Sequence, residues 1–177
     1  MIPPFDDATI IAGQGTAGLE ILEQCATVAT VYLPVGGGGL IAGVSAAIKQ
    51  VNPRVRVIGA EPEGAAKMTR SLEQGRAVTL DRVSSMADGL LAVRPGDLNL
   101  RHVQQFVDQV VTVSERQIVE AVRWLFRYAK LVVEPSGAVS VAAALAGGPS
   151  AGSGSIVALV SGGNVSADNF NKLLTDA

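Results

Sequence analysis

The sequence predicts an α/β domain: a largely parallel, twisted sheet with helices on both faces. Short runs rich in β-branched residues alternate with stretches of helical periodicity along the chain. Glycines cluster where those runs end, which is where open parallel sheets bind ligands. No internal repeat or domain-sized linker divides the 177 residues, so residues 1–177 are expected to form one domain.

Taken in order, Ala8–Ala12 reads as a first strand and Thr16–Gln24 as the helix after it. Thr27–Val35 is a second strand ending at Gly36, and Leu40–Gln50 a helix stopped by Asn52-Pro53. Arg54–Ala60 is a third strand, and Glu63–Gln74 a helix that ends at Gly75, a common C-terminal residue type. Asp81–Pro95 is irregular and is read as a functional loop. Val107–Val113 is a strand, and Ser114 with Gln117 forms a capping box that opens an amphipathic helix over Glu115–Lys130. Pro135 then introduces a small-residue helix, Ala138–Ala146. A Gly/Ser/Pro connector, Gly147–Ser155, leads to the apolar strand Ser155–Val160 and a last helix, Ser166–Leu174.

Composition excludes several classes. Fourteen Lys and Arg against sixteen Asp and Glu, with no basic run, do not make a phosphate-neutralising nucleic-acid surface. The longest apolar stretches fall far short of the ~20 residues that cross a bilayer, and the first residues show no signal-peptide pattern. A cytoplasmic location is therefore expected. One cysteine, Cys25, forms no internal disulfide and is read as a small buried hydrophobe. One histidine, His102, builds no His-rich metal site and is read as a surface helix residue. Trp124 is read as a packing or interface residue.

Three glycine segments carry the chemistry. Gly13-Gln14-Gly15-Thr16-Ala17-Gly18 matches G-x-G-x-x-G, but no acidic residue occurs between Glu23 and Glu61 to hold a ribose. It is read as a structural turn with tight helix packing. Gly36-Gly37-Gly38-Gly39 lies between a strand and the helix beginning near Leu40, where converging N–H groups and the helix dipole suit an anion. No Gly-Lys-Ser/Thr follows, so the loop points to a phosphate monoester held by backbone donors rather than a nucleotide. Ser161-Gly162-Gly163-Asn164 ends another strand, and its hydroxyl can hydrogen-bond a flat ligand above the sheet.

These segments together resemble the serine racemase and threonine dehydratase family of fold type II pyridoxal-phosphate enzymes. The resemblance runs in order through Pro4-Phe5-Asp6-Asp7, Ile11–Thr16, Pro34–Leu40, Gly59-Ala60-Glu61-Pro62, Ala87-Asp88-Gly89, Glu134-Pro135-Ser136-Gly137 and Ser161–Asn164. It implies that Gly36, Gly37, Gly38, Gly39 and Leu40 hold the cofactor phosphate. It further implies that Ser161 bonds the pyridine nitrogen, within the turn of Gly162 and Asn164, and that Gly89 and Glu134 lie near the cofactor. The implied reaction is β-elimination of water from L-serine or L-threonine, or serine racemisation, with the cofactor as electron sink. A neutral serine at the ring nitrogen would not enforce its protonation as a carboxylate would, which favours prompt loss of a leaving group.

The family's Schiff-base lysine lies in an S-x-K-x-R motif, and its substrate carboxylate binds an S-S-G-N loop; this sequence contains neither. The resemblance therefore implies the C-terminal half of such an enzyme, without the lysine segment and the small domain, and with no catalytic residue of its own. Pyridoxal phosphate would then bind weakly and noncovalently, the amino-acid substrate only in the intact enzyme, and the exposed apolar surface would favour a homodimer. Cation-binding relatives use the Glu of A-E-P, a carbonyl four residues on and an Asp two further on. Here Glu61 and Ala65 match but the third position is Lys67, which implies an ammonium paired with Glu61 and no metal. A different reading of the glycine loops stays open: an α/β module that binds another phosphate or anion without chemistry.

Overall fold

The structure is a computed structural model that describes residues 4–147 and 153–175. Four strands form one parallel sheet in the order β3-β2-β1-β4: β1 Val28–Pro34, β2 Arg56–Pro62, β3 Gln109–Val113 and β4 Ser155–Ala158. Each parallel step needs a crossover, and helices supply them on both faces. β1 runs through the middle and is buried on both sides, so its side chains divide between two cores. Val31 and Leu33 face Ile41, Val44 and Ile48 of α2 (Gly39–Val51) and Leu100 and Val103 of α4 (Asp97–Phe106). Tyr32 faces Ile118 and Val122 of α5 (Glu115–Trp124) and Ala138, Val139 and Ala142 of α6 (Pro135–Leu145). α3 (Lys67–Gln74) closes the first core and α7 (Ala167–Thr175) the second. The expected α/β architecture is what forms.

The N-terminal segment departs from expectation. Ala8–Ala12 is the first turns of a 17-residue helix, α1 (Ala8–Gln24), not a strand. A five-residue apolar run looks the same in a strand and a buried helix. Here Asp7 decides, because its carboxylate accepts the N–H groups of Thr9 and Ile10 at 2.8 and 3.4 Å and caps the helix. The G-x-G-x-x-G segment therefore lies inside α1 and forms no turn. Its tight-packing role does hold: a Cβ on Gly18 would stand 2.8 Å from the Val44 carbonyl oxygen of α2.

Several smaller differences follow from tertiary contacts. Glu63–Gln74 divides into a 3-10 turn, Glu63–Ala65, and α3, which ends as expected at a left-handed Gly75 (φ 66°). α4 has no range in the sequence reading, which gives only a helix at His102. The long helix after Ser114 leaves α geometry at Trp124, widens into a π turn over Leu125–Ala129, and stops at Lys130 (φ 60°). Cys25 is half-buried at the end of α1 rather than fully buried. His102 is a half-buried residue of α4, its Nδ1 2.9 Å from the Leu98 carbonyl oxygen. Of the connector Gly147–Ser155, residues 148–152 lie outside the described residues.

The capping box at α5 forms in both directions: the Ser114 hydroxyl accepts the Gln117 N–H at 3.3 Å, and Gln117 Oε1 accepts the Ser114 N–H at 2.8 Å. Ser114→Ala should cost about 1 kcal/mol of unfolding free energy, measured by urea titration. A loss within experimental error of zero would mean that α5 is held by packing alone.

Candidate functional site

The segments singled out in the sequence meet at the carboxyl ends of the strands. Val35 follows β1 and donates its N–H to the Ala60 carbonyl of β2 at 2.8 Å, so the chain enters the glycine loop from a fixed point. Gly38 then adopts φ 100°, a conformation open to glycine, and acts as N-cap of α2. A Cβ on Gly37 would run into the ring of Phe5, and one on Gly39 would come 3.0 Å from the Phe5 carbonyl oxygen. The N-terminal segment thus lies against the loop, and only glycines leave it room.

The N–H groups of Gly36, Gly37, Gly38, Gly39, Leu40 and Ile41 meet no acceptor among the described residues. The first intrahelical bond there is from Ala42 to the Gly38 carbonyl, at 2.9 Å. A row of unpaired donors at the start of a 13-residue helix carries partial positive charge and suits a phosphate ester without any cationic side chain. The residues present therefore fit the phosphate of a cofactor.

Ser161, Gly162 and Asn164 follow β4, the strand next to β1 in the sheet. Tyr32 of β1 pairs with Ala158 of β4, and the Leu159 N–H reaches the Tyr32 carbonyl at 3.0 Å. The ladder ends there, and Ser161 follows two residues on. Its hydroxyl is exposed and has no hydrogen-bond partner among the described residues. The turn is braced by Glu134, whose Oε2 accepts the Asn164 N–H at 2.8 Å and whose own N–H reaches the Gly162 carbonyl at 3.2 Å. Glu134 also opens α6 as its N-cap, although its carboxylate bonds the turn and not the helix. Gly89 completes the cluster. Its N–H lies 2.9 Å from Ser136 Oγ, and its carbonyl oxygen would be 3.4 Å from a Cβ on Gly36. A continuous set of contacts links Gly36, Gly89, Ser136, Glu134, Gly162 and Asn164.

A cavity of about 730 Å³ opens to one side of this cluster between α5 and α7. It reaches Asp88, Glu134 and Asn164 but not the glycine loop, whose Gly37, Gly38 and Gly39 are buried.

Two buried polar residues lie under the loop. Lys67, fully buried at the start of α3, donates to the carbonyls of Val35 and Leu90, both at 2.9 Å, and sits 3.6 Å from Glu61 Oε2. Burial draws its ammonium below the usual lysine range, and the Glu61 carboxylate pulls it back. The ion pair expected between these residues therefore forms. Asn99 of α4, also fully buried, donates from Nδ2 to the carbonyls of Gly37 (3.0 Å) and Phe5 (3.1 Å). The sequence reading missed Asn99 and assigned Phe5 no role. No local signal marked Asn99, which lies in the first turn of α4, where asparagine is an ordinary residue.

Residues 1–162 match the family described as pyridoxal-phosphate dependent enzyme. An L-threonine ammonia-lyase of Thermotoga maritima is 43% identical over 173 residues, which is 98% of this chain and 43% of that protein. A serine racemase of Arabidopsis thaliana is 44% identical over 145 residues, covering 82% of this chain and 44% of the relative. The solved structure of the processed form of threonine deaminase isoform 2 from Solanum lycopersicum superimposes with a TM-score of 0.91 at 38% identity, over 99% of this chain and 52% of that one. The chain thus spans about half the length of these relatives. The structural neighbours are fold type II enzymes.

Proposed function

Since the chain belongs to the pyridoxal-phosphate dependent enzyme family, we propose that it forms the phosphate- and ring-facing part of an enzyme that deaminates L-threonine or L-serine or racemises serine. The observation that carries this reading is the row of unpaired N–H groups from Gly36 to Ile41 after β1, with the free Ser161 hydroxyl in the turn after the neighbouring strand β4. The relatives named as threonine ammonia-lyase and serine racemase support the same assignment.

When bound, the cofactor supplies an electron sink for chemistry at the amino-acid α-carbon. The chain's own residues bind and orient. Gly36, Gly37, Gly38, Gly39 and Leu40 would hold the phosphate through backbone donors. Ser161 would give the ring nitrogen a neutral hydrogen-bond partner, so no carboxylate holds a proton there. Glu134 and Gly162 fix the turn that presents Ser161, and Gly89 lines the gap between the turn and the loop.

The reading includes a lack of turnover by this chain alone. Lys67 lies under the loop, but its Nζ is committed to two carbonyls and Glu61. Lys49 pairs with Asp108 at 2.8 Å, Lys130 donates to the Arg127 carbonyl at 2.8 Å, and Lys172 of α7 lines the cavity that does not reach the glycine loop. The amine nucleophile is therefore expected from polypeptide beyond these residues. Exposed apolar groups at Trp124, Phe126, Tyr128 and Leu131, together with Ile156 on the edge strand, support association with a second copy or with that polypeptide.

The test is an absorbance titration of the chain with pyridoxal phosphate, alongside an ammonia assay with L-threonine. The cofactor bands should be perturbed, inorganic phosphate should reverse the change, and no ammonia should form. Unperturbed bands at millimolar cofactor would overturn the cofactor assignment and favour a plain anion-binding module. Ammonia release would overturn the lack of turnover.

A further inference from the structure

We infer that Lys67 and Asn99 are positioning residues for the anion site: from beneath the glycine loop they hold two carbonyl groups inward and thereby aim the N–H groups of Gly36 and Gly38 outward. This rests on the phosphate reading of the loop and goes further, by naming what builds it.

In a planar trans peptide the carbonyl of one residue and the N–H of the next point in opposite directions, and the described residues contain no cis peptide bond. Lys67 Nζ takes the Val35 carbonyl at 2.9 Å, so the Gly36 N–H points away from α3. Asn99 Nδ2 takes the Gly37 carbonyl at 3.0 Å, aided by the Gly96 N–H at 3.0 Å, so the Gly38 N–H points away from α4. Neither outward N–H finds an acceptor among the described residues. Two alternate peptide planes of the loop are thus set from below, as a cradle of converging donors requires.

The placement is costly for stability alone. Lys67 and Asn99 are fully buried, and Asn99 Oδ1 has no hydrogen-bond partner. Apolar side chains of similar volume would avoid these desolvation penalties. Their second contacts reach further parts of the same site. Lys67 also holds the Leu90 carbonyl, next to Gly89, and Asn99 holds the Phe5 carbonyl, whose ring lies on Gly37. A Cβ on Gly38 would come 3.0 Å from the Asn99 Cβ and 2.9 Å from the Met68 Cε, so loop and supports meet without room for a side chain.

The experiment titrates the full ¹⁵N-labelled chain with inorganic phosphate and follows the glycine amide resonances. In the wild-type chain the Gly36 and Gly38 amides should move together on saturation. Asn99→Leu should abolish the Gly38 movement while Gly36 still responds, and Lys67→Met should do the reverse. Each substitution should weaken phosphate binding about tenfold, the equivalent of one charge-assisted hydrogen bond. Asn99→Asp, which keeps the volume but replaces the donor with an acceptor, should behave like Asn99→Leu and serves if the leucine variant does not fold. A general loss of structure would silence both amides alike, so the split response separates positioning from stability. Equal movement of both amides in every folded variant would overturn the inference, as would two unmoved amides in the wild-type chain. If the split appears but pyridoxal phosphate leaves the cofactor absorbance unperturbed, the cofactor reading fails and the positioning role stands.

Discussion

Glu61→Ala should lower the unfolding free energy by about 3–5 kcal/mol, the range for removing one partner of a buried ion pair. The carboxylate performs three tasks at once. Oε1 accepts the Thr69 N–H at 2.7 Å, Oε2 accepts the Met68 N–H at 3.1 Å, and Oε2 faces Lys67 Nζ at 3.6 Å. Without it the first turn of α3 loses the acceptor for two N–H groups, and a fully buried ammonium loses its counter-charge. In a domain of this size the midpoint should fall by about 10 °C or more. Urea and thermal unfolding give the measurement, and a loss below 1 kcal/mol would mean that water reaches the pair. The combined change Glu61→Leu with Lys67→Met should be milder than the sum of its parts, because no unpaired charge remains.

The second large effect lies where α1 crosses α2. A Cβ on Gly43 would strike the Ile11 carbonyl oxygen and approach the Gly15 nitrogen to 2.7 Å, and both are backbone atoms that cannot rotate aside. Gly43→Ala should therefore destabilise by about 1–3 kcal/mol through overpacking. It does so against a helix-propensity gain of about 1 kcal/mol. Gly13→Ala makes the internal control. It lies in α1, the other helix of the crossing, with nothing within 4 Å of its added Cβ, so the propensity gain should appear undiluted as stabilisation of up to about 1 kcal/mol. Opposite signs for the two variants are the expected result. A stabilised Gly43→Ala would refute the close crossing.

These two sites show where a sequence is and is not enough. The strands, most of the helices and the gathering of glycines at strand ends were legible because each rests on local chemistry. β-branched runs, a capping box at Ser114 and a left-handed glycine at Gly75 act within a few residues of themselves. The candidate site was legible for the same reason: its donors belong to the backbone, and a run of four glycines marks backbone left bare. What Gly13 to Gly18 do was legible only in part: the tight packing holds, and the turn does not. The same spacing serves a phosphate turn or a helix crossing, and only the position of Gly43, some 25 to 30 residues later, selects the second. The strand assignment of Ala8–Ala12 failed with the turn, since Gly15 and Gly18 are explained by the helix that lies against them.

The sequence by itself determined the class of the protein: an α/β sheet with a phosphate-suited loop at the ends of its strands. Tertiary structure alone decided how that loop is held. Lys67 and Asn99 lie 32 and 62 residues from the carbonyls they take in the loop, and their sequence neighbourhoods are ordinary helix. Their roles depend on being sealed from water beneath the sheet edge, where an ammonium or an amide must bond the nearest carbonyl. Burial of that kind is a property of the assembled layers, and no local pattern records it.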